Sequence, residues 1–338
     1  MMAEKAAARL AMEGTLSKEE IMLLLETEAQ DAYLISEARK KADEVFGKTI
    51  YLRGLIEISS YCKNDCLYCG LRKSNKKAVR YRLSEEDILS AAEEGYKNGL
   101  RTFVLQGGED GYFTDDRLVP VIETLKAKYP DAAVTLSLGE RSKASYKRLR
   151  EAGADRYLLR HETANPTHYG KLHPDKMRLS DRMECLANLK ELGYQVGAGF
   201  MVGSPYQTLE HIAEDLLFLK EFEPHMIGIG PFLPQKDTPL GTFPSGSLSM
   251  TVKLLAILRL MHPRVLLPAT TALATLSKGG REQGIRAGAN VVMPNLSPPK
   301  VRGKYAIYDE KAFETIEEVT EKIEAIGFQI KNVRGDYK

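Results

Sequence analysis

From about residue 50 onward, short apolar runs alternate with stretches in which apolar residues recur at helical spacing. This alternation is typical of parallel βα units. Eight of the apolar runs have the length of buried strands, and eight parallel strands fit a closed barrel. We therefore predict an α/β fold, a (β/α)8 barrel of the TIM type, with strands at residues 50–59, 102–106, 133–138, 156–160, 195–202, 226–230, 265–268 and 290–293.

Helix boundaries are marked by local signals. Ser17 followed three residues later by Glu20 is a capping box, and a second helix over 31–46 ends at Gly47. Further helices are predicted from Ser84, capped with Asp87, to about Gly99, from Ser180 to Gly193, and over 310–326.

The order of these elements predicts three regions. Residues 1–48 form an N-terminal helical extension, expected to act as a lid or base for the barrel. The barrel spans 49–300. Residues 301–338 form a C-terminal helical segment packed on the barrel.

A parallel barrel holds its reactive residues at the carboxyl ends of its strands, and these ends are unusually polar here. The second run ends in a Gly-Gly turn, whose backbone a ligand can approach closely. The fourth ends in a charged cluster where packing alone would favour apolar residues. Five strand ends that deliver small, hydroxylated or charged residues to one face indicate a lined cavity. The residues concerned, beyond the loop after the first run, are 106–110, 135, 137, 139, 140, 160–163 and 268–271.

Three of the four cysteines lie in a C-x3-C-x2-C motif directly after the first apolar run. Cys62, Cys66 and Cys69 are close enough in sequence to bind one inorganic centre, and thiolate sulfur suits zinc or an iron–sulfur cluster. A structural zinc site needs four ligands, and the next histidine along the chain is His161. A cubane on three cysteines leaves one iron open to a small molecule. Three reduced thiols, two of them a redox pair, are the alternative.

Charge and composition narrow the functional classes. The chain has 48 basic and 46 acidic residues, so no strong field favours nucleic acid or an anionic membrane, and a small-molecule or protein partner is expected. The clustered cysteines do not form a disulfide framework, the charged N-terminus has no apolar signal core, and no apolar run is long enough to span a bilayer. These features predict that the protein is located in a reducing, oxygen-poor cytoplasm. We expect the fourth cysteine, Cys185, to be a buried small apolar residue.

The cysteine motif and several barrel segments resemble a known family. The stretch CKNDCLYCGLR carries the signature of the radical S-adenosylmethionine (SAM) enzymes. The segments LQGGEDGY, TLSLGE, AGADRYLLRHETANP, IGIGPFLPQKDTPL, LPATTA and GANVVMPN resemble the HydE family of [FeFe]-hydrogenase maturases. This resemblance covers residues 51–295. Methylornithine synthase and biotin synthase are similar in the cysteine motif and the barrel, and AILRLMHPRVLLPA is also similar to methylornithine synthase.

The resemblance implies roles for individual residues. Cys62, Cys66 and Cys69 would hold a [4Fe–4S] cluster, with SAM lying across the top of the barrel. Glu162 would accept hydrogen bonds from the SAM ribose or amine, and Arg182 would pair with its carboxylate; from the sequence alone, Arg182 is equally a helix residue facing water. The implied cofactor-binding residues are Tyr68, Gln106, Gly107, Gly108, Glu109, Ser137, Glu162, Arg182 and Met201. The implied substrate-binding residues are Thr135, Arg160, Thr270, Thr271 and Met293. Core packing is the simpler role for either methionine.

The resemblance also implies an activity. This activity is the reductive cleavage of SAM to a 5′-deoxyadenosyl radical. The radical would act in assembly of the diiron subcluster of the [FeFe]-hydrogenase H-cluster. The implied substrate is an iron–cysteine complex that carries carbon monoxide and cyanide. The implied partners are an electron donor such as ferredoxin or flavodoxin and other hydrogenase maturases. A lysine mutase that makes methylornithine and a non-catalytic iron–sulfur scaffold are the alternatives. Some family members hold an accessory cluster on three further cysteines near the C-terminus; this chain has none after Cys185, so that cluster is expected to be absent.

Overall fold

Parallel strands close into a barrel, and helices cover its outside. The computed structural model describes residues 1–337. Its strands are β1 Thr49–Leu52, β2 Gly54–Ser59, β3 Thr102–Gly107, β4 Ala133–Ser137, β5 Arg156–Leu158, β6 Gln195–Ala198, β7 Met201–Val202, β8 Met226–Ile227, β9 Gly230–Pro231, β10 Val291–Val292 and β11 Gln329–Ile330. Its helices are α1 Met2–Glu13, α2 Lys18–Glu26, α3 Asp31–Phe46, α4 Glu85–Lys97, α5 Asp115–Lys128, α6 Lys143–Glu151, α7 Pro166–Leu172, α8 Leu179–Glu191, α9 Leu209–Phe222, α10 Leu248–Met261, α11 Thr271–Leu276, α12 Gly280–Arg286, α13 Pro299–Arg302 and α14 Ile316–Ala325.

The strand order confirms the predicted barrel. Six strands pair in parallel in the order β2-β3-β4-β5-β6-β8. Single parallel bridges then lead from Met226 to Leu266 and from Pro268 to Val291. β10 pairs in parallel with β1, which directly precedes β2, so the ring closes. All eight predicted strand positions therefore contribute, although the seventh, at 265–268, makes only isolated bridges.

Three predicted strands are each divided in two. The run 50–59 forms β1 and β2, and the run 226–230 spans β8 and the first residue of β9. The run 195–202 forms β6 and β7, which are separated at Gly199 and Phe200. Gly199 has φ +151°, and a Cβ there would lie 2.0 Å from the carbonyl oxygen of Gly228. The close approach of these two backbones permits only glycine and interrupts the regular ladder.

Most predicted helix boundaries are right, and three differences are informative. The capping boxes at Ser17 and Ser84 are both formed, and α3 has the predicted bounds. Helix α1 was not predicted, because its N-cap, Met1, makes no side-chain capping bond. Helix α8 starts at Leu179 after Arg178, without a side-chain cap. The predicted helix 310–326 starts only at Ile316, after a Thr315 capping box.

The N-terminal extension lies against the outer helices of the barrel. Helix α10 is buried on all sides over residues 251–261, which is typical of a helix that is covered by another layer. Helix α3 packs along it and α2 packs on α9. The buried ammonium of Lys253 in α10 lies 2.9 Å from Asp31 Oδ1 and donates to the carbonyl of Thr27 at 2.7 Å. The extension therefore completes the outer layer of the fold.

Two C-terminal segments close the two ends of the barrel. At the amino end, β11 pairs with β1, and Asp336 lies 2.6 Å from the guanidinium of Arg156, a fully buried residue of β5. At the carboxyl end, the segment 303–315 lies over the barrel mouth. There Gly70, next to the third cysteine, donates its N–H to the Ile307 carbonyl at 3.0 Å. The mouth is therefore covered by the cysteine-bearing loop and this segment together.

Candidate active site

The loop that carries the cysteine motif, residues 60–82, follows β2 at the barrel mouth. We call it the cysteine loop. Arg80 fixes its shape from inside, because its guanidinium donates to the carbonyls of Leu71 at 2.9 Å and Arg72 at 2.8 Å and also to that of Ser60. Arg72 pairs with Asp65 at 2.9 Å. Sequence reasoning missed Arg80, and no sequence signal distinguishes it from the other basic residues of the loop.

The three cysteines are half-buried and reduced. Burial raises the pKa of all three thiols, for Cys69 to about 12, and the neighbouring cysteines contribute to the effect at Cys66 and Cys69. Within residues 1–337, no three His, Cys, Asp or Glu side chains converge closely enough to hold one metal ion. Thiolate sulfur suits iron–sulfur clusters, so the three thiols of this loop are chemically able to serve as ligands of one.

The Gly-Gly turn after β3 packs directly on the cysteine loop. A Cβ at Gly108 would lie 2.2 Å from the carbonyl oxygen of Tyr61 and 2.8 Å from Cβ of Cys62. Lys63 donates its N–H to the Glu109 carbonyl at 2.8 Å, and its ammonium lies 3.1 Å from the Glu109 carboxylate. The turn and the cysteine loop thus form one surface, and only glycine at 108 permits the contact.

Glu109 is fixed from its other side by the end of β4. Its Oε1 accepts the N–H of Glu140 at 3.0 Å. Gly139 has φ +76°, and a Cβ there would overlap the Glu109 side chain at 2.0 Å. A groove of about 340 Å³ opens beside this carboxylate, with Lys63, Glu109, Glu140 and Arg141 in its lining. A polar ligand of small-molecule size can therefore reach the turn.

Glu162 is held in an unusual backbone conformation after β5. It has φ +67°, a left-handed value that non-glycine residues rarely adopt. Its N–H donates to the Gly199 carbonyl at 3.0 Å, and Arg160 pairs with its carboxylate at 2.8 Å. On the far side, the ring of His161 contacts the buried carboxylate of Asp215 at 3.2 Å. Strain that the surroundings enforce is characteristic of functional positions.

Arg182 is buried, so its interpretation as a water-facing helix residue is wrong. Only 8% of its side chain is exposed. Its Nε donates to Glu140 Oε1 at 2.5 Å, and Nη1 donates to the Arg160 carbonyl at 2.5 Å. These two bonds join the ends of β4 and β5 to α8. Arg182 therefore lies in the same polar network as Glu109 and Glu162.

Tyr68 and Met201 meet on one side of the cysteine loop. The Tyr68 ring lies edge-on to His173 with centroids 5.5 Å apart, and the hydroxyl is 3.4 Å from Nε2 of that histidine. Met201 is 7% exposed. It packs in a small apolar cluster with Leu172, Phe232, Leu240, Leu67 and Tyr68. Met201 thus packs as a core residue and at the same time borders the cysteine loop.

Several residues predicted to bind the substrate present unpaired polar atoms inside the barrel. In the described part of the chain, Thr135 Oγ1, Arg160 Nε and Thr270 Oγ1 are buried and have no hydrogen-bond partner. Thr135 lies in β4, two residues before Ser137, which is paired with Gln106 of β3. Buried polar atoms are normally hydrogen-bonded, so this set indicates a cavity suited to a polar ligand.

Thr271 and Met293 lie slightly apart from this set. Both line a small cavity that also contacts Arg281, Asn295 and Lys311. Met293 also packs against the apolar cluster of Tyr51, Met226, Leu266 and Val291. The structure therefore divides the predicted substrate residues between the barrel interior and a neighbouring pocket under the segment 303–315.

Sequence reasoning missed the charged pair that anchors that segment. The ammonium of Lys311 binds the carboxylate of Glu57, a fully buried residue of β2, and Asn295 donates to the same carboxylate at 2.9 Å. Tyr305, from the same segment, contacts the side-chain amide of Gln106 at 3.5 Å. A charged residue within the apolar run GLIEIS was the signal that could have identified Glu57.

Cys185 lies outside the cysteine loop, as expected, but it is only half-buried. It packs against the core, and its thiol donates to the Arg141 carbonyl at 3.7 Å. Cys185 therefore packs as a small apolar residue, but it is less buried than predicted.

Comparisons with known proteins place this geometry in a family. The family model of the radical SAM superfamily matches residues 56–219. The [FeFe] hydrogenase maturase subunit HydE of Thermotoga maritima is 47% identical over 276 residues, which cover 80% of this chain and 78% of that protein. This chain belongs to the HydE family of the radical SAM superfamily. The resemblance predicted from the sequence motifs is confirmed.

Other relatives share the fold of this HydE family member. The 3-methylornithine synthase of Methanosarcina acetivorans is 32% identical over 314 residues, covering 91% of this chain and 88% of that protein. The crystal structure of methylornithine synthase matches with a TM-score of 0.85 at 27% identity and covers 96% of this chain and 97% of that chain. The barrel prediction and the relationship to methylornithine synthase are therefore confirmed.

Membership of the family fixes the cofactors and the general chemistry. Enzymes of the radical SAM superfamily use a [4Fe–4S] cluster and SAM, so this HydE family member is an enzyme of that class. The site fits these groups, because it combines three reduced thiols in one loop with buried, unpaired polar atoms in the adjoining barrel. No helix within residues 1–337 has both the length and the apolar character that a bilayer crossing requires.

Proposed function

We propose that this chain is a radical SAM maturase that acts in assembly of the diiron subcluster of [FeFe]-hydrogenase. The observation that carries the proposal is the cysteine loop joined to the Gly108 turn over a polar-lined barrel, in a chain 47% identical to HydE. The proposed substrate is an iron–cysteine complex that carries carbon monoxide and cyanide.

In this proposal Cys62, Cys66 and Cys69 hold the [4Fe–4S] cluster. When it is bound and reduced, the cluster supplies the electron that cleaves SAM to methionine and a 5′-deoxyadenosyl radical. The half-buried position of the three thiols supports this assignment.

The remaining cofactor-binding residues orient SAM. The turn Gln106, Gly107, Gly108 and Glu109 is proposed to meet its methionine part, and Glu109 of this turn lines the adjoining groove. Glu162 is proposed to accept from the ribose or amine. Arg182 is proposed to act near the SAM carboxylate, and its bonds to Glu140 and Arg160 hold it rigid. Tyr68, Ser137 and Met201 complete the proposed set.

The interior residues hold the substrate and exclude water. Thr135, Arg160 and Thr270 supply hydroxyl and guanidinium donors that suit anionic or cyanide-bearing groups. Thr271 and Met293 are proposed to extend this surface toward Lys311. The segment 303–315 covers the mouth, which protects a reactive radical from solvent.

The partners, location and domain limits belong to the same proposal. We propose an electron donor such as ferredoxin or flavodoxin, contacts with other hydrogenase maturases, and a place in the reducing cytoplasm, which the four free cysteines support. We also propose the division into extension 1–48, barrel 49–300 and C-terminal segment 301–338, and the absence of an accessory cluster after Cys185.

The test is anaerobic reconstitution with iron and sulfide, followed by electron paramagnetic resonance of the reduced protein with and without SAM and an assay for 5′-deoxyadenosine. The expected result is a four-iron signal that SAM perturbs, with deoxyadenosine formed. The protein should then support hydrogenase activation in a defined maturation mixture. Methylornithine formed from lysine in place of activation would favour the synthase alternative. A signal indifferent to SAM, or bound zinc, would favour the scaffold.

A further inference from the structure

The cysteine loop is rich in basic residues in a chain that is otherwise nearly neutral. Between residues 63 and 82 there are seven basic residues and one acidic residue, Asp65, whereas the whole chain has 48 basic and 46 acidic residues. Five of the seven are engaged: four pair with carboxylates, and Arg80 binds loop carbonyls. Lys73 and Lys76 are exposed, and within the described residues they form no ion pair.

The cysteine loop, which carries these lysines, also contributes to an exposed apolar and aromatic area. Tyr61, directly before Cys62, is 37% exposed; Val79 is 58% exposed; and Tyr112 is 38% exposed. The guanidinium of Arg82 lies 4.0 Å from the Tyr61 ring centroid and 4.7 Å from that of Tyr112, which joins the two rings into one surface. Val79 belongs to it as well, because its carbonyl accepts from Ser60 at 3.1 Å. Exposed apolar patches rimmed by charge mark protein-binding sites.

This surface lies within one residue of the first cysteine ligand. Lys73 donates its backbone N–H to the Asn64 carbonyl at 2.8 Å, so the basic stretch packs on the segment between Cys62 and Cys66. A protein bound here would therefore sit beside the proposed cluster. The opposite approach, through the barrel mouth, is covered by the segment 303–315.

We propose that Tyr61, Val79 and Tyr112 with Lys73 and Lys76 form the docking face for an acidic one-electron carrier protein. We call it the carrier face. This inference rests on the proposed function, which requires one electron for each SAM cleaved. The carrier gives up one electron and the protein's cofactor gains it; no group is transferred. Basic rims attract acidic partners and accelerate encounter, and electron-transfer contacts are small and short-lived.

The test compares two charge-reversal variants that carry the same change in net charge. Lys73→Glu/Lys76→Glu alters the carrier face. Lys5→Glu/Lys48→Glu is the matched control, because both lysines are exposed, form no ion pair in the described part of the chain, and lie on the N-terminal extension. A third variant, Val79→Asp, alters the apolar part of the face and leaves every basic residue unchanged.

Binding of a purified acidic flavodoxin is measured first, on the cluster-free protein, so that this readout does not depend on a loaded enzyme. Lys73→Glu/Lys76→Glu should weaken binding about tenfold or more at low salt, and the difference should shrink as ionic strength rises. Val79→Asp should weaken binding at all salt concentrations, and the control pair should bind like the parent. Unchanged binding in both face variants, or equal loss in the control, would overturn the proposal. The proposal would also be overturned if heparin bound to the protein as strongly as flavodoxin does.

The second measurement uses the reconstituted enzyme with two reductants. With flavodoxin, Lys73→Glu/Lys76→Glu should cleave SAM more slowly than the parent; with dithionite, a small molecule that needs no docking face, the two should be equal. If the parent cleaves no SAM even with dithionite, the proposed function is wrong. The binding measurement still shows in that case whether the carrier face binds flavodoxin. Equal slowing with both reductants would overturn the docking role.

Discussion

Lys311 binds the carboxylate of Glu57 within the barrel, although the two residues are 254 positions apart in the chain. Both are buried, with side-chain exposures of 7% and 0%. Burial raises the pKa of Glu57, and the ammonium of Lys311 and the amide of Asn295 oppose that rise. This pair fastens the segment 303–315 over the barrel mouth.

Removing Lys311 alone should destabilise the protein strongly. Lys311→Met leaves the Glu57 carboxylate buried without its cation, and breaking a buried pair in this way costs about 3–5 kcal/mol. The free energy of unfolding in urea measures the loss. The double variant Lys311→Met/Glu57→Gln should recover most of it, because no uncompensated charge remains. The control is Lys304→Met, an exposed lysine of the same segment. A Lys311→Met protein as stable as the parent would show that the pair is not closed in solution.

A methyl group at Gly108 should displace the cysteine loop. Gly108→Ala places a Cβ 2.2 Å from the Tyr61 carbonyl oxygen, whereas Gly111→Ala meets no atom within 4 Å and serves as the matched control. A shift of about 1 Å in a reacting group can cost about 100-fold in rate, so we expect a comparable loss of SAM cleavage for Gly108→Ala. Deoxyadenosine formation and bound iron are measured for both, and equal behaviour would argue against the contact.

The four cysteines should fall into two classes. Cys66→Ser should abolish SAM cleavage and lower the iron retained after reconstitution, because a serine oxygen is a poor substitute for a thiolate ligand. Cys185→Ser should leave both nearly intact, since that thiol packs against the core and contacts a backbone carbonyl. Loss of the cluster in both variants would contradict the separate role given to Cys185.

Acid should destabilise the protein through buried histidines, and His168 is the clearest case. Its Nε2 donates to the Pro205 carbonyl at 3.0 Å, so Nδ1, at 3.1 Å from the Thr163 hydroxyl, carries no proton. Burial lowers the pKa of His168 from 6.5 to about 4. Between these values the unfolded chain binds more protons than the folded protein, so stability is complete above pH 6.5 and falls as the pH is lowered.

The slope from this one residue is about 1.4 kcal/mol per pH unit. The slope is measured by urea unfolding between pH 4.5 and 7, in steps of about half a pH unit. A slope of this size makes the change in unfolding free energy between successive steps resolvable. The variant His168→Gln should unfold with a shallower dependence on pH. An identical slope in parent and variant would mean that His168 is accessible to protons in the folded state.

The sequence was sufficient for the barrel because each strand is a local apolar run between turn signals. It was also sufficient to locate the cysteine loop, where three cysteines lie within eight residues. Contacts between residues that are distant in the sequence could not be predicted in this way. The burial of Arg182 depends on Glu140, 42 residues earlier, and helical periodicity does not report such a partner. The late start of α14 has a different origin, because the capping box of Thr315 and Glu318 is a local signal that fixes the first turn of the helix there.

The closure at the amino end of the barrel also has a consequence for biosynthesis. Asp336 binds Arg156, Arg334 binds Asp155 at 2.8 Å, and Gln329 is paired with Thr49 of the first strand. These partners are synthesised after every barrel strand. While the ribosome is still adding them, Arg156 lacks the Asp336 carboxylate and β1 lacks one neighbour. The barrel floor can therefore form only after residues 329–336 have left the exit tunnel, which is later than the emergence of every barrel strand.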